Sequence, residues 1–289
     1  MKELDLMTFP ELADRVVKPT LRCFVRMVWP IAVPMVALSV FLLGVQSTWL
    51  RGLQSGKLDA EFGAGLVSML AALLFAMVWS LLCVWAVSIA AVDLLAGRPT
   101  SFWRSLRQVF RPQVFLTMLL STVITVASVL LCVVPVLFVM PLLFVLVPVM
   151  VHEELYGMDA IRRSVELVRF NATGRWSDSG FIQAFGLIFI GYGISSAISM
   201  VVQLPFMIYQ QYYIWNETLS GRQVDPFSVT QELSWLQLPV QMVNVFAQLL
   251  GWFYWAIAAV VLYLEIRRRR DGRDLEVAIA RNLKRVDGG

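Results

Sequence analysis

From Leu66 to Val92 the chain carries no charged side chain, and further long apolar runs recur on either side of it. A run of about 20 such residues is long enough to cross a hydrocarbon core about 30 Å thick. Inside lipid every backbone donor and acceptor must be satisfied without water, which leaves only helices and closed barrels. A barrel strand needs about 10 residues of apolar–polar alternation. Leu66–Val92 has none, so the runs are expected to be helices. With 58% hydrophobic and 15% charged residues in 289, a soluble domain is excluded. The expected fold class is all-α, a polytopic membrane helical bundle.

Spans are expected near residues 24–49, 65–92, 113–133, 136–151, 181–208 and 238–264. They form three hairpins, about 24–92, 113–151 and 181–264, in a single integral membrane domain covering 1–289. Charges of both signs precede the first run, and that run is too long for the apolar core of a cleavable signal, so it reads as the first span. Of the 24 Lys and Arg residues, all but Arg51, Lys57 and Arg222 fall in the N-terminal segment, two alternate connections and the tail from Arg267 onward. Basic residues mark the cytoplasmic side. Both termini are therefore expected in the cytoplasm, in a multi-pass cell membrane protein of the bacterial inner-membrane type. Between Gln113 and Val151 there is no polar loop, only Cys132-Val-Val-Pro135 as a candidate turn. A re-entrant hairpin would satisfy the charge rule as well, but a short, tight transmembrane hairpin is the expected form, with its turn buried in protein.

Each hairpin leaves the membrane through an acidic residue, at Asp93, at Glu153-Glu154 and at Glu265. The first two exits lead into short segments that set apolar residues on one face and Arg on another. These are Phe102, Leu106, Val109 and Phe110 with Arg104, Arg107 and Arg111, then Ile161, Val165 and Val168 with Arg162, Arg163 and Arg169. Leu275, Ile279, Leu283 and Val286 repeat the pattern in the tail, 265–289. Such helices are expected to lie in the headgroup region and attract anionic lipid. Thr8-Phe-Pro-Glu11 fits a capping box at the start of the N-terminal helix. A carboxylate near a helix C-terminus opposes the dipole, so a compensating partner is expected. Asp93, Glu153, Glu154 and Glu265 thus make a candidate cytoplasmic clasp, with Arg104 and Arg163 as the expected partners across hairpins.

Catalytic patterns are sparse. His152 is the single histidine, and the His152-Glu153 pair lacks the second His at 156 that a zinc-protease helix requires. No phosphate-binding glycine loop and no dinucleotide fingerprint occurs. Cys23, Cys83 and Cys132 sit in apolar runs without metal-site spacing and read as small apolar fillers. Neither cofactor nor metal is expected, nor a nucleic-acid partner, and the chain is expected to be non-enzymatic.

The spans do carry uncharged polar stripes. Thr117, Ser121, Thr125 and Ser128 share a face of the third, where packing and hydrogen bonding between helices is the simplest use. Gly191, Ser195, Ser199 and Gln203 share a face of the fifth, and Gln237, Gln241, Asn244 and Gln248 one of the sixth. The last two stripes suggest a candidate polar groove of Ser195, Ser199, Gln203, Gln237, Gln241, Asn244 and Gln248 that could take a lipid headgroup. An outer loop near 209–237 with Tyr209, Tyr212, Tyr213, Trp215, Phe227 and Trp235 is expected to lie over it as an aromatic lid. Asn216-Glu-Thr218 and Asn171-Ala-Thr173 both match a glycosylation sequon but are expected on opposite sides, so neither carries weight.

Several short motifs point to a family. Leu12-Ala-Asp-Arg-Val-Val-Lys-Pro-Thr-Leu-Arg22, Pro148-Val-Met-Val-His-Glu-Glu154, Ala160-Ile-Arg-Arg-Ser-Val-Glu-Leu-Val168 and Tyr263-Leu-Glu-Ile-Arg-Arg268, followed by Asp271-Gly-Arg-Asp-Leu-Glu276, resemble the bacterial six-span membrane domain found fused to glycerophosphodiester phosphodiesterases, and related membrane families. The resemblance implies fold and membrane context. It does not bring the phosphodiesterase activity, whose acid–base chemistry resides in a separate soluble barrel and needs more histidine than His152. The expected function is that of a scaffold or accessory subunit in envelope or lipid-related processes. Its expected partners are anionic headgroups at the cytoplasmic face and a protein partner or second copy. A transporter or flippase-like carrier for an amphiphile is the alternative.

Overall fold

A computed structural model describes residues 9–54, 60–131, 133–169, 179–220 and 234–286. Among these the secondary structure is helical: α1 (Phe9–Gln54), α2 (Ala60–Leu95), α3 (Phe102–Val109), α4 (Pro112–Leu131), α5 (Val133–Leu143), α6 (Leu146–His152), α7 (Gly157–Arg169), α8 (Gly180–Leu219) and α9 (Ser234–Val286). Six segments are long and apolar enough to cross a bilayer, Ala13–Leu42, Gly65–Leu95, Pro112–Leu131, Val134–His152, Gly180–Leu219 and Gln237–Arg270. By length and composition this is a multi-pass membrane protein. Along α2, Leu66, Val67, Leu70, Leu73, Leu74, Phe75, Met77 and Val78 are exposed. An apolar surface that continuous suits acyl chains rather than water.

Chain contacts gather into two compact units, one of Met1–Cys23, Trp85–Gly191 and Phe253–Gly289, the other of Phe24–Val84 and Tyr192–Trp252. In the first, α9 is the core. Phe253, Tyr254, Ala256, Ile257, Ala258, Ala259, Val260, Leu262 and Tyr263 are all buried, so this part of the helix packs against protein on every face. Gly191 of α8 makes one close approach possible. A Cβ there would collide with the Trp255 indole and the Tyr254 ring, while Trp255 Nε1 donates to Ile188 O at 3.1 Å. In the second unit, Trp29 meets Phe246 edge-on at 6.4 Å.

Helix ends depart from expectation in three places. The fourth span is two helices rather than one, α5 and α6 with a turn at Phe144-Val145. Pro148 explains it, because its ring has no N–H for the carbonyl of Phe144 and clashes with it. Phe144 N donates to Pro141 O at 3.2 Å, a tighter three-residue turn that closes α5. Even so, Pro112–Leu131 and Val134–His152, with 20 and 19 residues, reach about 30 and 28 Å at 1.5 Å per residue.

Secondly, α8 runs on to Leu219, so Tyr209, Tyr212, Tyr213, Trp215 and Asn216 lie on a helix and not in a loop. No Gly or Pro stands between Phe206 and Leu219 to stop it. Thirdly, α1 and α9 carry the N-terminal and tail segments as continuous helix with their spans. Thr8, Cys132, Asn171-Ala-Thr173, Phe227 and the side chains of Trp235, Leu275, Ile279, Leu283 and Val286 lie outside the described residues.

Candidate functional site

The first unit concentrates its polar contacts around α7. This helix buries Ala160, Ile161, Ser164, Leu167 and Val168 and packs against α4, α5 and α6. Protein therefore covers the face expected to enter the headgroup region. Two hydroxyls fix the helix in place. Thr117 Oγ1 on α4 accepts from Gly157 N, the first residue of α7, at 2.7 Å, and donates to Gln113 O at 2.7 Å. Ser164 Oγ donates to Leu142 O at 2.7 Å. Leu142 sits in the last turn of α5, where carbonyls lack intrahelical partners, so α7 completes the break that Pro148 causes.

The turn before α7 carries the strongest pair. Arg163 Nε donates to Glu153 Oε2 at 2.7 Å and Nη2 to Oε1 at 3.4 Å. From α9, Tyr263 OH donates to the same Oε1 at 3.1 Å and accepts from Arg267 Nη1 at 3.3 Å. The His152 ring stacks on Tyr263 with centroids 5.4 Å apart and planes 9° from parallel. Arg163 Nη1 also lies 3.9 Å from Glu166 Oε2. Glu153 thus joins the exit of α6 to α7 and α9, with three of its roughly four acceptor positions filled. The arrangement ties α6, α7 and α9 to one carboxylate.

The other clasp residues find local partners. Asp93 ends α2 in a Schellman turn, with Arg98 N donating to Asp93 O at 2.8 Å and Gly97 N to Leu94 O at 3.1 Å. Gly97 takes φ +71° there, the left-handed value that favours glycine. That turn folds Arg98 back, leaving its Nη1 3.6 Å from Asp93 Oδ1. Arg104 donates to Pro99 O at 3.3 Å and meets no carboxylate among the described residues. Glu265 Oε1 accepts from Arg269 Nε at 3.0 Å on its own helix, both buried, and Glu265 Oε2 has no hydrogen-bond partner among the described residues. Glu154 is exposed at φ +53°. Among the described residues Asp93, Glu153 and Glu265 therefore pair with nearby Arg residues, and Tyr263 links Glu153 to a distant segment.

Tyr263, Ser164 and Thr117 complete the site. Thr117 stood in the stripe on the third span, but nothing marked it from its neighbours. Ser121, Thr125 and Ser128 donate to Met118 O, Ser121 O and Ile124 O of their own helix, the local back-bonding open to any membrane Ser or Thr. Tyr263 had one available signal: a buried phenol needs a partner for its O–H.

The groove residues divide differently. Ser199 and Gln203, with Ser196, Met200, Met207 and Gln211, line an open hollow of ≈ 680 Å³ whose described lining comes from α8. Ser195 is half-buried outside that lining. On α9, Gln241 and Gln248 are exposed and Gln237 and Asn244 half-buried, none of them in the hollow. Asn244 Oδ1 is buried without a hydrogen-bond partner among the described residues. A second open hollow, ≈ 530 Å³, lies on α3 and is lined by Ser101, Trp103, Arg104, Arg107, Gln108 and Arg111. Among the described residues no group of three or more His, Cys, Asp or Glu is placed to hold a metal ion.

Compared with known proteins, the chain matches no family model, no curated protein and no solved structure.

Proposed function

We propose that this is a non-enzymatic scaffold or accessory subunit of the inner membrane, working in a lipid-related or envelope process with both termini in the cytoplasm. The observation that carries the reading is the use made of Glu153. The carboxylate, guanidinium and phenol that could serve acid–base chemistry are bonded to one another, and the histidine is stacked on the phenol. Together they position α6, α7 and α9. Exposed Arg residues on α3 and α7 then provide a basic face toward anionic headgroups. The likeness of Pro148–Glu154, Ala160–Val168 and Tyr263–Arg268 to the six-span domains fused to glycerophosphodiester phosphodiesterases supports the lipid context, and three hairpins are the arrangement it suggests.

The test is purification of the full chain from native membranes in polymer-bounded lipid discs, with mass spectrometry of the proteins and lipids retained. A protein partner at fixed stoichiometry is expected. Recovery of the chain alone, with no protein enriched over a mock purification, would overturn the scaffold reading. The carrier alternative has one observation in its favour, the hollow on α8 with Ser199 and Gln203 set among Met and Leu side chains. It requires accelerated transbilayer movement of a labelled amphiphile in vesicles containing the protein, and its loss in Ser199→Leu with Gln203→Leu.

A further inference from the structure

We infer that the hollow on α3 is a binding site for the phosphate monoester headgroup of an anionic lipid. The inference rests on the proposed placement of this end of the molecule at the cytoplasmic leaflet. One face of α3, Phe102, Ser105, Leu106 and Val109, is buried, and the helix packs on α4. Its other side presents Arg104 and Arg107, and the turn into α4 adds Arg111, around one open hollow with Ser101, Trp103 and Gln108. From Ser101 to Pro112 there is no acidic residue, and among the described residues none of the three guanidinium groups has a carboxylate partner. The basic segment on α7 differs, because Arg163 is engaged by Glu153 and Glu166.

Three guanidinium groups within one hollow, without a carboxylate partner among the described residues, match a ligand of more than one negative charge. A phosphate monoester carries about −1.5 to −2 at pH 7 and offers three acceptor oxygens, which Arg can take in pairs through its planar fork. A phosphodiester headgroup carries one negative charge and fewer free oxygens. The Ser101 hydroxyl makes no capping bond to its own helix and adds a donor at the rim. Free phosphate would satisfy the same groups. Trp103 and Phe110, 60% and 57% exposed, favour the lipid-borne form, since aromatic side chains beside the hollow suit the interface between headgroups and acyl chains.

The experiment is native mass spectrometry of the full-length protein in detergent, titrated with dioctanoyl phosphatidic acid, dioctanoyl phosphatidylglycerol and inorganic phosphate. Phosphatidic acid is expected to bind at least about tenfold more tightly than phosphatidylglycerol. The Arg107→Gln/Arg111→Gln variant should lose about tenfold or more, and Arg51→Gln/Arg222→Gln, which removes two charges expected on the opposite side of the membrane, should bind as the parent does. Each single variant at 107 and 111 should lose about threefold, which keeps the test available if the double variant does not fold. Equal binding of the two lipids, or unchanged binding in the α3 variants, would overturn the site. Inorganic phosphate displacing phosphatidic acid at equal concentration would overturn the lipid assignment. The selectivity is read in detergent and does not depend on orientation. An outward-facing α3 would therefore remove the cytoplasmic placement while leaving this result standing, and absent selectivity with α3 facing the cytoplasm would remove the site alone.

Discussion

Glu153 is bonded by both Arg163 and Tyr263, and its removal should be costly beyond one ion pair. Glu153→Ala would leave Arg163, whose side chain is 26% exposed, without its main partner and Tyr263 OH without an acceptor. A loss of about 2–3 kcal/mol is expected, read as a lower unfolding midpoint in detergent. Glu166→Ala, at a carboxylate 54% exposed and 3.9 Å away, should cost no more than about 0.5 kcal/mol. Tyr263→Phe removes the hydrogen bond to the carboxylate and the one accepted from Arg267 but leaves the ion pair, and it should fall between them, at about 1 kcal/mol. The carboxylates of this site were legible in the sequence because a negative charge near a helix C-terminus demands compensation. Their partners were not legible, because they depend on turn geometry. Gly97 sends the chain back so that Arg98, not Arg104, reaches Asp93. A neutral tyrosine in an apolar span looks like core until its hydroxyl is seen to have a partner.

Helices in this protein are joined where their ends would otherwise leave backbone groups unpaired. Ser164→Ala should cost about 1–3 kcal/mol by orphaning the Leu142 carbonyl at the α5–α6 break. Ser128→Ala, which removes only a bond within its own helix, should cost well under 1 kcal/mol. The comparison is made by thermal unfolding of the two variants side by side. Gly191→Ala should destabilise by about 1–3 kcal/mol, since the Trp255 indole occupies the space of the new methyl and must shift. Gly193→Ala, with nothing within 4 Å of the added atom, should be tolerated. The span positions could be read from length and apolarity alone. The ends could not, for two opposed reasons. Pro148 breaks a segment that composition presents as one span, whereas the mixed aromatic and polar residues after Phe206 resemble a surface loop but contain nothing that stops a helix.

At the scale of the molecule, charge and hydrogen bonding work at the same end of the chain's helices. Arg163, which holds α7 to Glu153, stands in the same helix as the exposed Arg162 and Arg169 of the proposed headgroup face. Orientation decides whether that face meets the cytoplasmic leaflet at all. Six crossings with the basic connections in the cytoplasm require Ser101 and Ser220 to face opposite sides, the second standing just beyond the end of α8. Single cysteines placed at each position, with Cys23, Cys83 and Cys132 replaced by serine, can be labelled in intact and permeabilised cells with a membrane-impermeant maleimide. Ser220→Cys is expected to react in intact cells and Ser101→Cys only after permeabilisation. Labelling of both from the same side would contradict the six-crossing account, and the reverse order would place its basic face outside.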